Sequence, residues 1–235
     1  MNDLFTVAPP ETIEQKFVFP LGETPRIREW LAYAAAPDPG HAHGFLHTVY
    51  FDSRDLRHYS EKRESDYLKT KLRLRWYVPV RTPDAAPTAA FLEVKRKIGG
   101  VRRKSRTAVP VAACRAPFDA PALRSAVEAA PALDYHGNRP QVPVLHLRYE
   151  RRRYVEAGTG ARLSLDTHIG TRWVNDSVLA TGALRELTVG VLEVKSPYRH
   201  LPRSLEPLAP YLRKTAFSKY AECAESYAYP LSRRL

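Results

Sequence analysis

The sequence predicts an α+β fold that consists mainly of antiparallel β-strands with a few helices attached. Segments in which polar and apolar residues alternate recur along the chain, as they do in strands with one buried face. Apolar residues at helical spacing occur near both ends, for example Ile27, Trp30 and Leu31. With 235 residues, of which 44% are hydrophobic, the chain is long enough for one domain with a sizeable core.

Strands are predicted where alternating, β-branched and aromatic residues lie between turn residues. Gly99 and Gly100 separate two such segments and predict a tight hairpin, because its turn needs residues with positive φ. The predicted strands are residues 12–19, 45–51, 67–79, 91–98, 101–109, 142–156, 162–168 and 187–195.

Helices are predicted from capping residues and from apolar spacing. The first begins at Thr24 and Pro25, an N-cap followed by a first-turn proline, and it ends before Pro37. We interpret Asp52 as a cap for the turn that follows it, and Cys223 as a packing residue of the last helix. Residues 55–64 are predicted as a short polar helix or a turn, and the other predicted helices are residues 121–130, 204–214 and 216–227.

The bulk composition indicates a protein with anionic partners. Lys and Arg total 37 against 25 Asp and Glu, a formal net charge of +12, which favours nucleic acid, anionic lipid or a phosphate polymer. The two cysteines, Cys114 and Cys223, lack the spacing of a disulfide framework or a zinc site. Because no apolar run is long enough to span a membrane and no signal peptide is recognisable, we expect a cytoplasmic protein.

Charged residues fall on one face of several predicted strands, because every second side chain of a strand points the same way. In the segment KLRLRWY, the cations Lys71, Arg73 and Arg75 share one face, and the residues between them are apolar. The same alternation places these further residues on a common face of their strands: Glu93, Lys95, Lys97, Arg102, Lys104, Arg106, Tyr149, Arg151, Arg162, Glu193 and Lys195.

A solvated polar face is the ordinary explanation of an alternating strand. Here, however, several strands each contribute two or three cations, and the string Leu-Glu-Val-Lys occurs twice. Crowded cations repel one another unless anions neutralise them, so such a face favours bound phosphate. If the sheet closes, this face becomes the lumen of a tunnel and the apolar face packs outward against the helices.

The ordered strings EQKF, YFDSRDLRHY, KLRLRWY, FLEVKRK, RKSR, RYERRRY, ARLSLDT, VLEVK and FSKY resemble the VTC domain. This is the polyphosphate polymerase domain of the vacuolar transporter chaperone family, within the triphosphate tunnel metalloenzyme superfamily. The matches run in family order from Glu14 to Tyr220. The resemblance implies a closed, eight-stranded antiparallel tunnel over residues 12–229, with a flexible N-terminus at 1–11 and a tail at 230–235.

The resemblance also implies the roles of the site residues. Catalytic roles go to Arg73, Arg75, Lys95, Arg151 and Lys219. Phosphate binding, by motif or by position on the same face, goes to Lys16, Lys71, Lys97, Lys104, Arg106, Tyr149, Arg162, Lys195 and Ser218. Glu193 is expected to hold Mn²⁺ or Mg²⁺, and Glu14 and Glu93 match further acidic lumen positions.

The resulting hypothesis is a metal-dependent polyphosphate polymerase that transfers the γ-phosphate of ATP to a growing chain. The first strand has Glu-Gln-Lys where many tunnel triphosphatases have Glu-x-Glu-x-Lys, which favours polymerase over hydrolase. A triphosphatase that hydrolyses inorganic triphosphate or a nucleoside triphosphate, and a polyphosphate-binding module without turnover, remain the alternatives.

The expected partners are ATP and polyphosphate or triphosphate. Nucleic acid is not expected, because a closed barrel is too narrow for a duplex. We expect a stand-alone domain, and a membrane-protein partner is not visible in the sequence.

Overall fold

The computed structural model describes residues 12–82, 86–99, 101–115, 118, 123, 127 and 140–228. Its described α-helices are α1 (Thr24–Ala34), α2 (Arg57–Arg63) and α3 (Lys219–Ala228), and 3-10 helices occupy Leu21–Glu23, Val111–Cys114 and Arg203–Tyr211. The strands are β1 (Ile13–Pro20), β2 (Ala35–Pro37), β3 (His43–Asp52), β4 (Leu68–Val78), β5 (Ala90–Ile98), β6 (Val101–Val109), β7 (Val142–Glu156), β8 (Arg162–Val174), β9 (Val189–Ser196) and β10 (Arg213–Lys214). None of the helices described is long and apolar enough to span a membrane.

Most predicted elements are confirmed within one or two residues at each end. Strand β8 continues to Val174, six residues past the predicted end at His168. The predicted helix at 204–214 is instead a 3-10 helix followed by β10, because Pro207 and Pro210 each lack the amide hydrogen that an α-helix requires. The helix predicted at 121–130 lies outside the continuously described residues.

The prediction of a closed, eight-stranded tunnel is wrong in two respects. The described residues form ten strands in the hydrogen-bonded order β10-β1-β9-β8-β7-β3-β4-β5-β6, with β2 paired to β7, and no pairing among them joins the end strands β10 and β6. The two additional strands, β2 and β10, contain three and two residues, which is too short to show alternation. Alternation also indicates which face is buried, but not which edges pair.

The chain divides into two compact units. The first unit comprises the described residues of Met1–Ala42, Arg152–Asp166 and Val189–Ala216. Its strands β1, β9 and β8 turn their apolar faces toward α1, and Phe17, Leu192 and Leu163 form a core with Ile27 and Leu31 of that helix. Trp30 Nε1 of α1 also donates a hydrogen bond to the carbonyl oxygen of Ser204, 2.7 Å away, which joins α1 to the 3-10 helix.

The second unit comprises the described residues of His43–Arg151, Thr167–Thr188 and Phe217–Leu235. Leu72, Leu74 and Trp76 of β4 are buried in its core with Leu92 and Val94 of β5. This confirms the separation of apolar and charged faces that was predicted for KLRLRWY and FLEVKRK. The charged side chains of both strands are therefore presented together on the opposite face.

Candidate phosphate-binding site

The face of β4, β5 and β6 opposite the core, which we call the basic face, arranges its charges in rows across the strands. Antiparallel register aligns the residues of each row directly opposite one another. The rows are Lys71–Lys95–Lys104 and Arg73–Glu93–Arg106, and Lys69 lies opposite Lys97. The structure thus brings together most of the cations that the sequence assigned to phosphate binding in this unit.

Glu93 is the centre of an ion-pair cluster on the basic face. Its Oε2 lies 2.7 Å from Arg73 Nη2 and 3.7 Å from Arg75 Nη1, and its Oε1 lies 2.8 Å from Lys104 Nζ. The Glu93 side chain is only 1% exposed, whereas Lys104 is 48% exposed. One buried carboxylate therefore fixes the positions of three cations.

The charges of this cluster determine the protonation of Glu93. Burial on its own raises the pKa of Glu93, but the positive charges of Arg73, Arg75 and Lys104 outweigh it and lower the pKa to about 2. Burial lowers the pKa of Arg73, and Tyr50 and Glu93 more than compensate by raising it. Glu93 and Arg73 are consequently both ionised at neutral pH.

Arg75 is held by two further residues of this unit. Its Nη2 donates to Tyr149 Oη over 3.2 Å, and its Nε donates to Thr48 Oγ1 over 3.4 Å. Tyr149 is itself buried, and its ring lies 5.5 Å from the Arg151 guanidinium and 4.9 Å from Lys219 Nζ. These are cation–π distances, so Tyr149 connects the two cations of β7 and α3 to Arg75.

Ser218 and Lys219 come at the start of α3. Lys71 Nζ donates to Ser218 Oγ over 2.8 Å, and Ser218 Oγ also accepts the Ala221 amide hydrogen at 3.4 Å. Ser218 therefore serves as a helix cap and contacts a basic-face lysine at the same time.

Helix α3 is anchored by Asp52, whose Oδ2 accepts a hydrogen bond from Tyr220 Oη at 2.7 Å. Asp52 Oδ1 accepts the amide hydrogen of His58 at 2.8 Å, and Oδ2 accepts that of Tyr59 at 3.0 Å. The carboxylate thus caps α2, which confirms its structural interpretation, and it also fixes the start of α3 through Tyr220.

Two cation rows on the basic face contain no acidic residue. Lys71, Lys95 and Lys104 are consecutive cross-strand partners, as are Lys69, Lys97 and the backbone of Arg102. Like charges directly opposite one another destabilise a strand pair. Lys104 is already paired with Glu93, but that carboxylate is shared with Arg73 and Arg75. The alignment of the lysines therefore favours a ligand with several negative charges in line.

Arg106 is oriented differently from the other cations of its row. Its guanidinium carbon lies 3.3 Å from the centre of the Phe91 ring. This stacking holds the planar group over an aromatic face on the strand next to it, where its N–H donors remain at the edge of the plane.

The first unit carries a smaller charged face on β8, β9 and β1. Its cross-strand rows are Ser164–Glu193–Lys16 and Arg162–Lys195–Glu14. Lys16 Nζ lies 3.3 Å from Glu14 Oε1 and 3.5 Å from Glu193 Oε1. The five ionic residues predicted for these strands therefore share one face.

Glu14 and Glu193 have the donor set of a hard divalent cation. Mg²⁺ in proteins is commonly bound through one or two carboxylates, and phosphate oxygens and water complete its coordination. The described part of the chain contains no group of three or more His, Cys, Asp and Glu residues placed to hold a metal ion. Glu14 and Glu193 could therefore form such a two-carboxylate site. The ammonium group of Lys16, which now contacts both carboxylates, would have to move away or turn toward a phosphate.

Thr48 and Tyr50 were not among the predicted site residues. Tyr50 is opposite Arg73 in the β3–β4 register, and Thr48 is opposite Arg75. Both alternate with Val49 and Phe51, which are buried in the core. That alternation within FLHTVYF was the signal that could have assigned them to the basic face.

The fold and the site define an antiparallel α+β protein with rows of cations on its sheet. A scan against protein-family models matches the VTC domain over residues 11–228. The chain therefore belongs to the VTC domain family, which confirms the resemblance seen in its motifs. A search of the curated proteins finds no significant match.

Several solved structures are similar to this chain. The PH1012 protein from Pyrococcus horikoshii OT3 has 11% identity and a TM-score of 0.38, over 80% of each chain. A proposed adenylate cyclase from Vibrio parahaemolyticus has 11% identity and a TM-score of 0.42, over 93% of this chain and 87% of that one. A proposed adenylate cyclase from Bacillus halodurans has 12% identity and a TM-score of 0.44, over 91% and 85%.

Proposed function

We propose that this protein is a metal-dependent polyphosphate polymerase that transfers the γ-phosphate of ATP to a growing polyphosphate chain. The observation that carries the proposal is the row Lys71–Lys95–Lys104 beside the Glu93 cluster, in a chain of the VTC domain family. A linear polyanion matches cations in line, because each phosphate can be neutralised by a different strand.

The cations divide into two chemical types. Arg73 and Arg75 have rigid guanidinium groups whose donors match phosphate oxygens in pairs, and Glu93 holds both in place. The lysines act as compact point charges on flexible stems, so they can retain a chain while it advances. Phosphoryl transfer depends mainly on such alignment and positive charge, and little covalent chemistry is asked of the protein.

The transfer itself needs no protein nucleophile. A terminal phosphate oxygen of the chain, already ionised, attacks the γ-phosphorus of ATP. The bond between that phosphorus and the β–γ bridging oxygen breaks, and ADP leaves with the electron pair. Lys219 and Arg151, which flank the Tyr149 ring, are the candidates to stabilise charge during this step.

For the metal, we propose that Glu193 and Glu14 hold Mn²⁺ or Mg²⁺, which would neutralise and orient the donor phosphates. Lys16, which contacts both carboxylates, would then bind a phosphate oxygen. We assign Glu93 a positioning role, because three cations already occupy its surroundings.

The proposal is tested by incubating the purified protein with ATP, Mn²⁺ and a short polyphosphate primer, and by resolving the chains on a gel. We expect longer chains with the wild-type protein and at least about a hundredfold slower chain growth with Arg73→Ala. The reason is that a cation that contacts the transferring phosphate stabilises the transition state by several kcal/mol. Arg103→Ala is the matched control, because Arg103 belongs to β6 next to Lys104 but alternates to the other face.

Two results would contradict the proposal. Release of orthophosphate without chain growth would instead favour a triphosphatase. Tight polyphosphate binding with no turnover under any metal would instead favour a binding module.

A further inference from the structure

One end of the β4–β5–β6 sheet exposes a group of large apolar side chains. Leu68, Ile98 and Val101 are consecutive cross-strand partners at the end of the three strands, and Tyr67 precedes Leu68. Their exposed fractions are 74% for Tyr67, 39% for Leu68, 38% for Ile98 and 63% for Val101. We call these four residues the apolar tip.

The apolar tip has a fixed backbone next to the β5–β6 turn. The amide of Gly99 donates to the carbonyl oxygen of Tyr67 over 2.9 Å, and Gly99 has a φ of 54°. A Cβ atom at Gly99 would come within 2.7 Å of Tyr67 Cε2, so the ring lies directly against the turn. A side chain at position 99 would therefore displace the tyrosine ring from the turn, and the positive φ also favours glycine there.

Cations surround the apolar tip on both faces of the sheet, immediately behind it. Lys69 and Lys97 form the adjacent row on one face, and Arg96 and Arg103 are cross-strand partners on the other. We call these four residues the basic collar. Along the strands, Lys69 and Lys97 lie one residue behind the cross-strand row Leu68–Ile98–Val101, and Arg96 and Arg103 lie two residues behind it.

We propose that the apolar tip and the basic collar dock this protein onto an anionic membrane surface. Apolar and aromatic side chains at the extreme end of the hairpin would enter the headgroup region, while the collar remains at the level of the lipid phosphates. Each Lys or Arg near an anionic bilayer adds favourable electrostatic energy. The contact is peripheral and needs no membrane span.

The charges argue against a second copy of this chain as the partner. Two tips meeting end to end would bring two basic collars together, and the four cations of each would repel those of the other. An anionic bilayer provides both the apolar layer and the negative charge that the tip and the collar require. The proposal does not rest on the polymerase reaction, since the tip, Arg96 and Arg103 lie outside the proposed phosphate site, although Lys69 and Lys97 of the collar also belong to the basic face.

The test is co-sedimentation of the full chain with phosphatidylcholine vesicles and with vesicles of equal parts phosphatidylcholine and phosphatidylserine. Each measurement is made without and with tripolyphosphate, which competes for Lys69 and Lys97 on the basic face but not for the apolar tip or for Arg96 and Arg103 on the other face. We expect binding to the mixed vesicles only. Ile98→Asp/Val101→Asp and Arg103→Glu should each weaken it at least about fivefold, the loss expected for one charge at a membrane surface.

Controls separate a local effect from misfolding. Leu184→Asp changes an apolar residue that is 56% exposed outside the tip, and its vesicle binding should equal that of the wild type. Tyr67→Trp provides a direct readout, because insertion of the new indole into lipid should shift its fluorescence to shorter wavelength beyond the wild-type signal. Thermal unfolding of every variant verifies folding.

Three results would overturn the proposal. The first is a mixed-vesicle affinity that the tip and collar variants leave unchanged. The second is no vesicle binding by the wild type. The third is concentration-dependent dimerisation in sedimentation velocity that Ile98→Asp/Val101→Asp abolishes, which would assign the tip to a second copy of the chain.

Discussion

Arg73 Nη2 lies 2.7 Å from Glu93 Oε2, and the two residues are direct cross-strand partners in β4 and β5. Because Arg75 and Lys104 contact the same carboxylate, one acid determines where three cations of the basic face are positioned. The acid is buried while Lys104 remains half exposed, so the cluster is rigid at its base and accessible at its rim.

Replacement of Glu93 with Gln should destabilise the protein, because three cations would lose their shared counter-charge. We expect a loss of about 2 to 3 kcal/mol in the free energy of unfolding, below the full penalty of a buried pair since Lys104 is solvated. Urea denaturation measures this loss. Added tripolyphosphate should restore part of it, and the exposed substitution Glu29→Gln should have no effect.

The difference in unfolding free energy between the wild type and Glu93→Gln should depend on pH, in a direction set by the pKa of Glu93. The pKa of Glu93 is lowered in the folded protein from its ordinary value of 4.5 to about 2, so its contribution to stability is complete above pH 4.5. The contribution is lost as pH falls from 4.5 to 2. The stability gap between wild type and Glu93→Gln should therefore narrow across this window, and a gap that stays constant would contradict the assigned ion pairs.

His146 should make the protein sensitive to acid at higher pH. Burial, with the neighbouring charges of His47, Arg172 and Arg148, lowers its pKa from 6.5 to about 3. Because the unfolded chain binds the proton first, stability should fall below pH 6.5 by up to about 1.4 kcal/mol per pH unit until the folded pKa is reached.

His146→Phe tests this effect, since the site is already aromatic, with Trp76 and Phe118 ring centres 5.2 Å away. We compare the unfolding free energies of both proteins by denaturant titration between neutral pH and pH 4. With falling pH, that of the wild type should decrease more steeply than that of His146→Phe. Parallel curves would show that His146 does not titrate in this range.

The two cysteines should be unreactive in the folded protein. Burial raises the pKa of both Cys114 and Cys223 to about 12, which leaves almost no thiolate at pH 8. A thiol reagent such as DTNB should label both only after denaturation. Rapid labelling of either thiol under native conditions would contradict its burial.

Glu193→Gln should weaken metal binding and leave the basic face unchanged. We expect the Mn²⁺ concentration for half-maximal chain growth to rise by at least about tenfold, since even outer-shell changes at metal sites have effects of this size. Titration of the metal in the primer-extension assay measures it. Glu206→Gln, an exposed acid of the same unit, is the control, and equal metal dependence of all three proteins would exclude Glu193 as a ligand.

The sequence alone was sufficient to assign side chains to faces. The alternation of Lys71, Arg73 and Arg75 with buried Leu72 and Leu74 follows from the period of a strand and needs no knowledge of the neighbouring strands. The tight turn at Gly99 was equally local, because positive φ favours glycine.

Features that depend on residues far apart in the chain, such as strand order and cross-strand contacts, could not be predicted from the sequence. Which strand edges pair depends on long-range register, so the ten-stranded, unclosed order was not predictable from alternation. The contacts of Glu93 with Arg73 and Lys104 come from the same cross-strand register, which no spacing within FLEVKRK reveals. The difference at 204–214 has a local cause, however, because Pro207 and Pro210 lack the amide hydrogen that an α-helix requires.

The most direct test of the proposed polymerase activity is the stoichiometry of the reaction with ATP, Mn²⁺ and a polyphosphate primer. ADP, orthophosphate and phosphate incorporated into acid-labile polymer are quantified in the same sample over time. A polymerase predicts one incorporated phosphate for each ADP formed, with little orthophosphate, and loss of both products in Arg73→Ala. One orthophosphate for each ADP, with no increase in polymer, would contradict it.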